Sequence, residues 1–153
     1  MADLWRERWR VGEVCARGRV IEGTIRYGVA CLDTLGALVV EPGALWPAGG
    51  SPGLRIASDG RVKSGLPLNV AHDPERVVAW VGHGLDLSGN SRELRVRAAV
   101  PATPTGEIAL EGVRTGAHAG LSMEFVSRGE DRDPRTGLRF IWDAAVWGFG
   151  LVL

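Results

Sequence analysis

A serine and a histidine, Ser122 and His72, are the pair in this chain best able to do chemistry together. A serine hydroxyl attacks a carbonyl only weakly unless an adjacent base takes its proton, and histidine is the commonest such base. Ser122 follows Gly116-Ala117-His118-Ala119-Gly120, a run of small side chains that leaves backbone N–H groups uncovered for an oxyanion. His72 closes an apolar stretch and precedes Asp73-Pro74, a turn signal that sets its imidazole at a strand edge. His83 and His118 read as structural, although either has the chemistry to orient another group. Most serines on strands and most histidines before turns have structural roles, so these residues alone reach only a β-rich domain.

The elements that must position the pair read mostly as strands. Apolar residues alternate with polar or small ones over Val11–Ile21, stopping at Glu22-Gly23. A second strand is expected over Thr24–Leu32, with Ile25, Tyr27 and Val29 on one face, and a third over Leu38–Val40, ended by Glu41-Pro42-Gly43. Ala48–Gly65 is rich in Gly, Pro and Ser and reads as a surface loop. Strands follow at Leu66–Ala71, Val77–Leu87 and Glu93–Val100, the last with Leu94, Val96 and Ala98 set against Arg95, Arg97 and Ala99. One helix is expected to begin at Pro104-Thr105, with Thr105 as N-cap and Glu107 in the first turn. Ile108 and Val113 would mark its apolar stripe and Gly116 its stop. Leu121–Ser127 and Leu138–Leu153 complete the strands, separated by a charged loop at Gly129–Gly137.

Composition bounds the class. A chain of 153 residues, 45% hydrophobic and 24% charged, has the balance of a single globular domain. Its formal net charge of zero provides no global field for nucleic acid or an anionic membrane. Met1–Arg10 contains no apolar run of the secretory kind and reads as an N-terminal extension free to be flexible. The apolar run Ala144–Leu153 is too short to cross a membrane and reads as a buried strand. Cys15 and Cys31 lack metal-ligand spacing and read as reduced core or strand cysteines. The tryptophans and Tyr27 read as core and rim aromatics, and no cofactor or metal is expected.

Five segments, in order, resemble the prohead (capsid maturation) proteases of HK97-type tailed bacteriophages. Gly23-Thr24-Ile25-Arg26-Tyr27-Gly28 resembles the opening glycine-aromatic strand, and Glu41-Pro42-Gly43-Ala44-Leu45 the "PGAF" element. Leu68-Asn69-Val70-Ala71-His72-Asp73-Pro74 is similar to the "NHDP" segment, and Gly120-Leu121-Ser122-Met123-Glu124-Phe125 to "GLSIGF". Arg139-Phe140-Ile141-Trp142-Asp143-Ala144-Ala145-Val146 resembles the terminal strand region. The resemblance covers most of the chain, from about residue 23 onward.

The resemblance implies a mostly β fold, a barrel with a few helices akin to the herpesvirus assembly proteases. It implies a serine endopeptidase with Ser122 as nucleophile and His72 as base, cleaving capsid or scaffolding protein in the assembling prohead, within the host cytoplasm. It also allows a homodimer, which the herpesvirus relatives form. Family members carry an acidic residue in the last strand, where this chain has Gly148, so Asp143 is the nearby substitute candidate for the third catalytic residue. Glu124 replaces the family's usual glycine two residues after the serine. With these departures, the alternative is an inactive barrel that binds scaffold during capsid assembly.

Overall fold

The computed structural model describes residues 7–33, 36–45 and 66–153. The expected loop Ala48–Gly65, together with Trp5 and Trp46, lies outside the described residues. Among those described, ten strands form one sheet and a single helix packs beside it. The strands are β1 (Glu7–Arg17), β2 (Val20–Arg26), β3 (Ala30–Asp33), β4 (Gly36–Val40) and β5 (Pro67–Val70). Then come β6 (Val77–Val81), β7 (Gly84–Gly89), β8 (Glu93–Ala99), helix α1 (Pro104–Thr115), β9 (Gly120–Arg132) and β10 (Arg139–Val152).

Eight strands close on themselves in the order β10-β5-β6-β7-β8-β2-β1-β9, and the β9–β10 ladder completes the circuit. The ribbon β3–β4 sits outside this ring, attached where β4 runs parallel to the start of β10. The expected mostly β barrel with helix is therefore the fold. Closure removes the exposed edges that an open sheet of this size would present.

Period-two patterning fills the interior. In β8, Leu94, Val96 and Ala98 point inward and Arg95, Arg97 and Ala99 outward, as the alternation requires. In β9, Leu121, Met123 and Phe125 are fully buried and meet Ile25, Leu94, Phe149 and Leu151 in one core. Burying such a side chain contributes roughly 1.5–3 kcal/mol, so this alternation fixes which face of β9 is turned inside. Ser122 and Glu124 consequently share its outer face.

Turns fall where backbone chemistry allows them, which shifts several expected boundaries. The run Val11–Ile21 is broken by the two-residue turn Gly18-Arg19, with Gly18 at φ 58°, and Glu22-Gly23 lies inside β2. Thr24–Leu32 is likewise broken at Gly28, φ 74°, which leaves Val29 exposed. Gly82 and Gly84, also at positive φ, divide Val77–Leu87 into β6 and β7. The charged segment after Gly129 stays in β9 as far as Arg132, and the turn begins at Asp133. The start of β1 at Glu7 takes Glu7–Arg10 out of the expected N-terminal extension.

The helix is capped by Thr103 rather than Thr105: the Thr103 hydroxyl accepts the Gly106 N–H, and Pro104 occupies the first helical turn. Its buried stripe is Ala109, Leu110 and Val113, and Ile108 is exposed. Gly116 ends it in the left-handed conformation, delivering the chain into β9. Trp9 is buried, while Trp80 and Trp142 are exposed. Cys15 and Cys31 are free thiols, Cys15 exposed and Cys31 half-buried.

Candidate active site

His72 is held by an unusual turn. Ala71 and His72 have φ of 54° and 58°, the positive-φ non-glycine residues among those described. They occupy the centre of the turn Val70–Asp73, closed by the Asp73 N–H donating to the Val70 carbonyl at 3.0 Å. Positive φ at both central positions favours Asn-Gly, and an alanine or histidine there costs of order 1–2 kcal/mol each. The Ala71 N–H donates to the Leu151 carbonyl at 2.9 Å, sewing the turn to β10. Backbone held in such conformations is concentrated at functional sites, where surrounding structure over-determines it.

Gly150 supplies the space into which this turn drives the imidazole. A Cβ at position 150 would stand 2.9–3.0 Å from three atoms of the His72 ring, so tightly that the ring would have to shift. The ring therefore lies against bare backbone of β10. Gly150 pairs with Ser122 across the β9–β10 ladder, so the ring comes to rest over the serine. His72 Nε2 is 2.7 Å from Ser122 Oγ, a distance at which the hydroxyl donates to an unprotonated ring nitrogen.

The opposite ring nitrogen faces a carboxylate. Glu124 Oε2 lies 3.6 Å from His72 Nδ1, with side chains 10% and 6% exposed respectively. That separation is an electrostatic contact slightly longer than a hydrogen bond, and Nδ1 has no hydrogen-bond partner among the described residues. Catalytic hydrogen bonds are often long before substrate arrives. Arg8 holds the same carboxylate oxygen from β1, its Nε 3.4 Å from Oε2. The β1–β9 register sets Arg8 opposite Glu124 and Arg10 opposite Ser122. The row Arg8–Glu124–His72–Ser122 thus crosses three elements through side chains aligned on one face.

Electrostatics favour the basic form of His72. Burial pushes its pKa below the ordinary histidine value, Glu124 opposes this by favouring the cation, and the Arg8 charge adds to the lowering. At neutral pH the ring is therefore a proton acceptor. With Nδ1–H turned to the Glu124 carboxylate, Nε2 is the acceptor presented to serine.

A cleft of about 1080 Å³ opens onto the pair. Arg8, Arg10, His72 and His118 are its ionisable lining groups, Ser122 lies among them, and alanine and C-terminal aliphatic side chains complete the wall. The small-residue turn expected beside the serine reaches the rim through Ala117 and His118. The His118 ring is packed against Gly112 of α1, so that a Cβ at 112 would collide with it.

The structure thus brings His72 and Ser122 together and leaves Asp143 elsewhere. Asp143 pairs with Gly129, seven positions along β10 from Gly150, roughly 20 Å away at the rise of a strand. The register therefore does not bring Asp143 to His72 and Ser122. The carboxylate nearest the His72 ring is instead that of Glu124, which in the sequence stands out only as a charge beside Ser122 where the resemblance has glycine. Gly148, where the resemblance places the acidic residue, is the direct cross-strand partner of Glu124. The available signal was the i, i+2 spacing of Ser122 and Glu124, which puts both on one face of a strand.

No protein-family model, curated protein or solved structure matches the chain.

Proposed function

We propose that the protein is a serine endopeptidase in which Ser122 is the nucleophile, His72 the general base and Glu124 the carboxylate that orients the base. The observation that carries this reading is the 2.7 Å contact between His72 Nε2 and Ser122 Oγ with Glu124 behind Nδ1. Ser122 Oγ attacks the scissile carbonyl while its proton passes to Nε2. The imidazolium so formed is stabilised by the Glu124 carboxylate, then protonates the leaving amine. Water, activated by the same nitrogen, releases the acyl group. The Gly116 and His118 N–H groups donate to the Val113 and Gly112 carbonyls, so the oxyanion donors must be other backbone N–H groups at the cleft.

For the substrate, the resemblance in the His72 and Ser122 segments supports the scaffolding or capsid precursor protein of a phage prohead. Cleavage would occur inside the immature shell in the host cytoplasm. Co-expression with the capsid and scaffold proteins encoded alongside it tests this. Wild type should shorten one of them and Ser122→Ala should leave both intact. Cleavage that persists in Ser122→Ala removes Ser122 from the mechanism, and intact proteins in both arms favour a scaffold-binding barrel instead.

A further inference from the structure

We infer that His118 is a substrate-binding residue, its imidazole Nε2–H donating a hydrogen bond to a main-chain carbonyl of an extended peptide, on a residue flanking the scissile bond. This deepens the peptidase reading and rests on it.

The cleft commits its other polar side chains to the protein. Arg8 is ion-paired to Glu124, Arg10 donates to the main-chain oxygen of Leu153, and His72 and Ser122 face each other at 2.7 Å. His118 lines the same cleft, yet no described residue hydrogen-bonds its Nδ1, which is buried. The rest of the lining is alanine and C-terminal aliphatic side chains. Ligand sites are commonly built this way, with an apolar wall and a few placed polar groups that fix how the ligand lies.

The ring is held in place by backbone. The His118 N–H donates to the Gly112 carbonyl at 2.8 Å, which anchors residue 118 to the last turn of α1. The imidazole then rests on the bare backbone of Gly112, where a Cβ would collide with Cδ2. His72 is seated over Gly150 by the same device, so both histidines of the cleft lie on glycines. A side chain already fixed loses little freedom when a ligand binds to it.

The orphaned nitrogen sets the tautomer. A buried N–H without an acceptor is rarer and costlier than a buried lone pair, so the lone pair falls to Nδ1 and the proton to Nε2. The ring therefore offers a donor, which matches the carbonyls that recur along an extended peptide. A carbonyl that does not react is held equally in the ground and transition states, so this bond lowers KM and leaves kcat to His72 and Ser122.

The test begins with cleavage profiling of a peptide library by mass spectrometry, followed by kinetics on the best-cleaved peptide. His118→Leu should raise KM about three- to tenfold and leave kcat within about twofold. His118→Gln, whose amide can stand near the Nε2 position, should recover most of the loss, and His118→Asn, which mimics Nδ1, should not. Thioamide scanning of the same peptide weakens one carbonyl acceptor at a time. One position should carry a penalty in wild type that vanishes in His118→Leu. Labelling of Ser122 by a fluorophosphonate probe is read in parallel as a check that the site is assembled. An unchanged KM in His118→Leu, equal KM in the Leu and Gln variants, or no cleavage by protein whose Ser122 labels would each overturn the inference while leaving the reactive serine. Absence of Ser122 labelling in wild type would overturn the peptidase reading itself.

Discussion

Glu124 and Gly148 face each other across the β9–β10 ladder, and the carboxylate behind His72 comes from the first of them. A side chain from either position would reach the same region, because cross-strand neighbours stand only about 5 Å apart and share a face. Gly148 is also closely packed: a Cβ there would meet Pro67 at 3.1 Å. In this chain β9 supplies the acid and β10 supplies the bare surfaces at 148 and 150.

Replacing the carboxylate while keeping its shape tests that assignment. Glu124→Gln should fold normally and lose between about tenfold and 10⁴-fold in kcat, the larger figure being typical where a triad acid also sets the histidine tautomer. Steady-state kinetics with circular dichroism as a folding control measures this. Activity within twofold of wild type would remove Glu124 from the mechanism.

A histidine base acts when deprotonated, and burial lowers the His72 pKa below the ordinary histidine value, so kcat/KM should rise with pH through a midpoint below that of an ordinary histidine. Glu124 favours the cation, so Glu124→Gln should move the midpoint lower still. Arg8 disfavours it, so Arg8→Gln should move the midpoint up. Shifts in the same direction for both variants would contradict this electrostatic account.

Gly150→Ala should cost activity without unfolding the barrel. The new Cβ would overlap the His72 ring, which must swing away from Ser122. We expect at least about a hundredfold loss in kcat/KM, as for small misplacements of a catalytic group. Full activity in a variant shown by crystallography to retain the His72 position would refute the packing argument.

Ala71→Gly should stabilise the protein by about 0.5–1 kcal/mol in urea titration, because it relieves a left-handed alanine while adding some unfolded-chain entropy. No gain, or a loss, would mean that the turn at Ala71 and His72 holds no such strain.

Arg139 joins three strands, bonding Glu7 of β1 at 2.6 and 2.8 Å and Glu130 of β9 at 2.7 and 2.8 Å while lying 5.9 Å from the Trp9 ring centroid. Arg139→Met should cost about 1–3 kcal/mol at neutral pH. The Arg139 hydrogen bonds hold the Glu130 carboxyl below its ordinary range. That contribution is present above the ordinary carboxylate pKa and lost as pH falls through the lowered one, so the gap between wild type and variant should close in acid. A gap independent of pH would contradict the linkage.

How much of this was legible in the sequence depended on distance along the chain. The alternation of Leu94, Val96 and Ala98 revealed a strand with its inner face, because that signal is local. The breaks at Gly18, Gly28 and Gly82 were missed, since apolar runs on either side of a tight turn read as one strand. His72 and Ser122 were found through the segments around them. Their carboxylate was not, because the ladder register that sets Glu124 against Gly148 is a long-range property. Asp143 is close to Gly148 in sequence, but along a strand closeness in sequence is separation in space.

Covalent labelling of Ser122 tests the central claim most directly. Wild-type protein is treated with a fluorophosphonate probe, and the adduct is counted by intact mass and located by peptide mapping. The account predicts one adduct, on Ser122, formed faster as pH rises through the His72 titration and lost in Ser122→Ala, with labelling slowed at least about tenfold in His72→Gln. No adduct on Ser122, or labelling equally fast without the His72 imidazole, would contradict it.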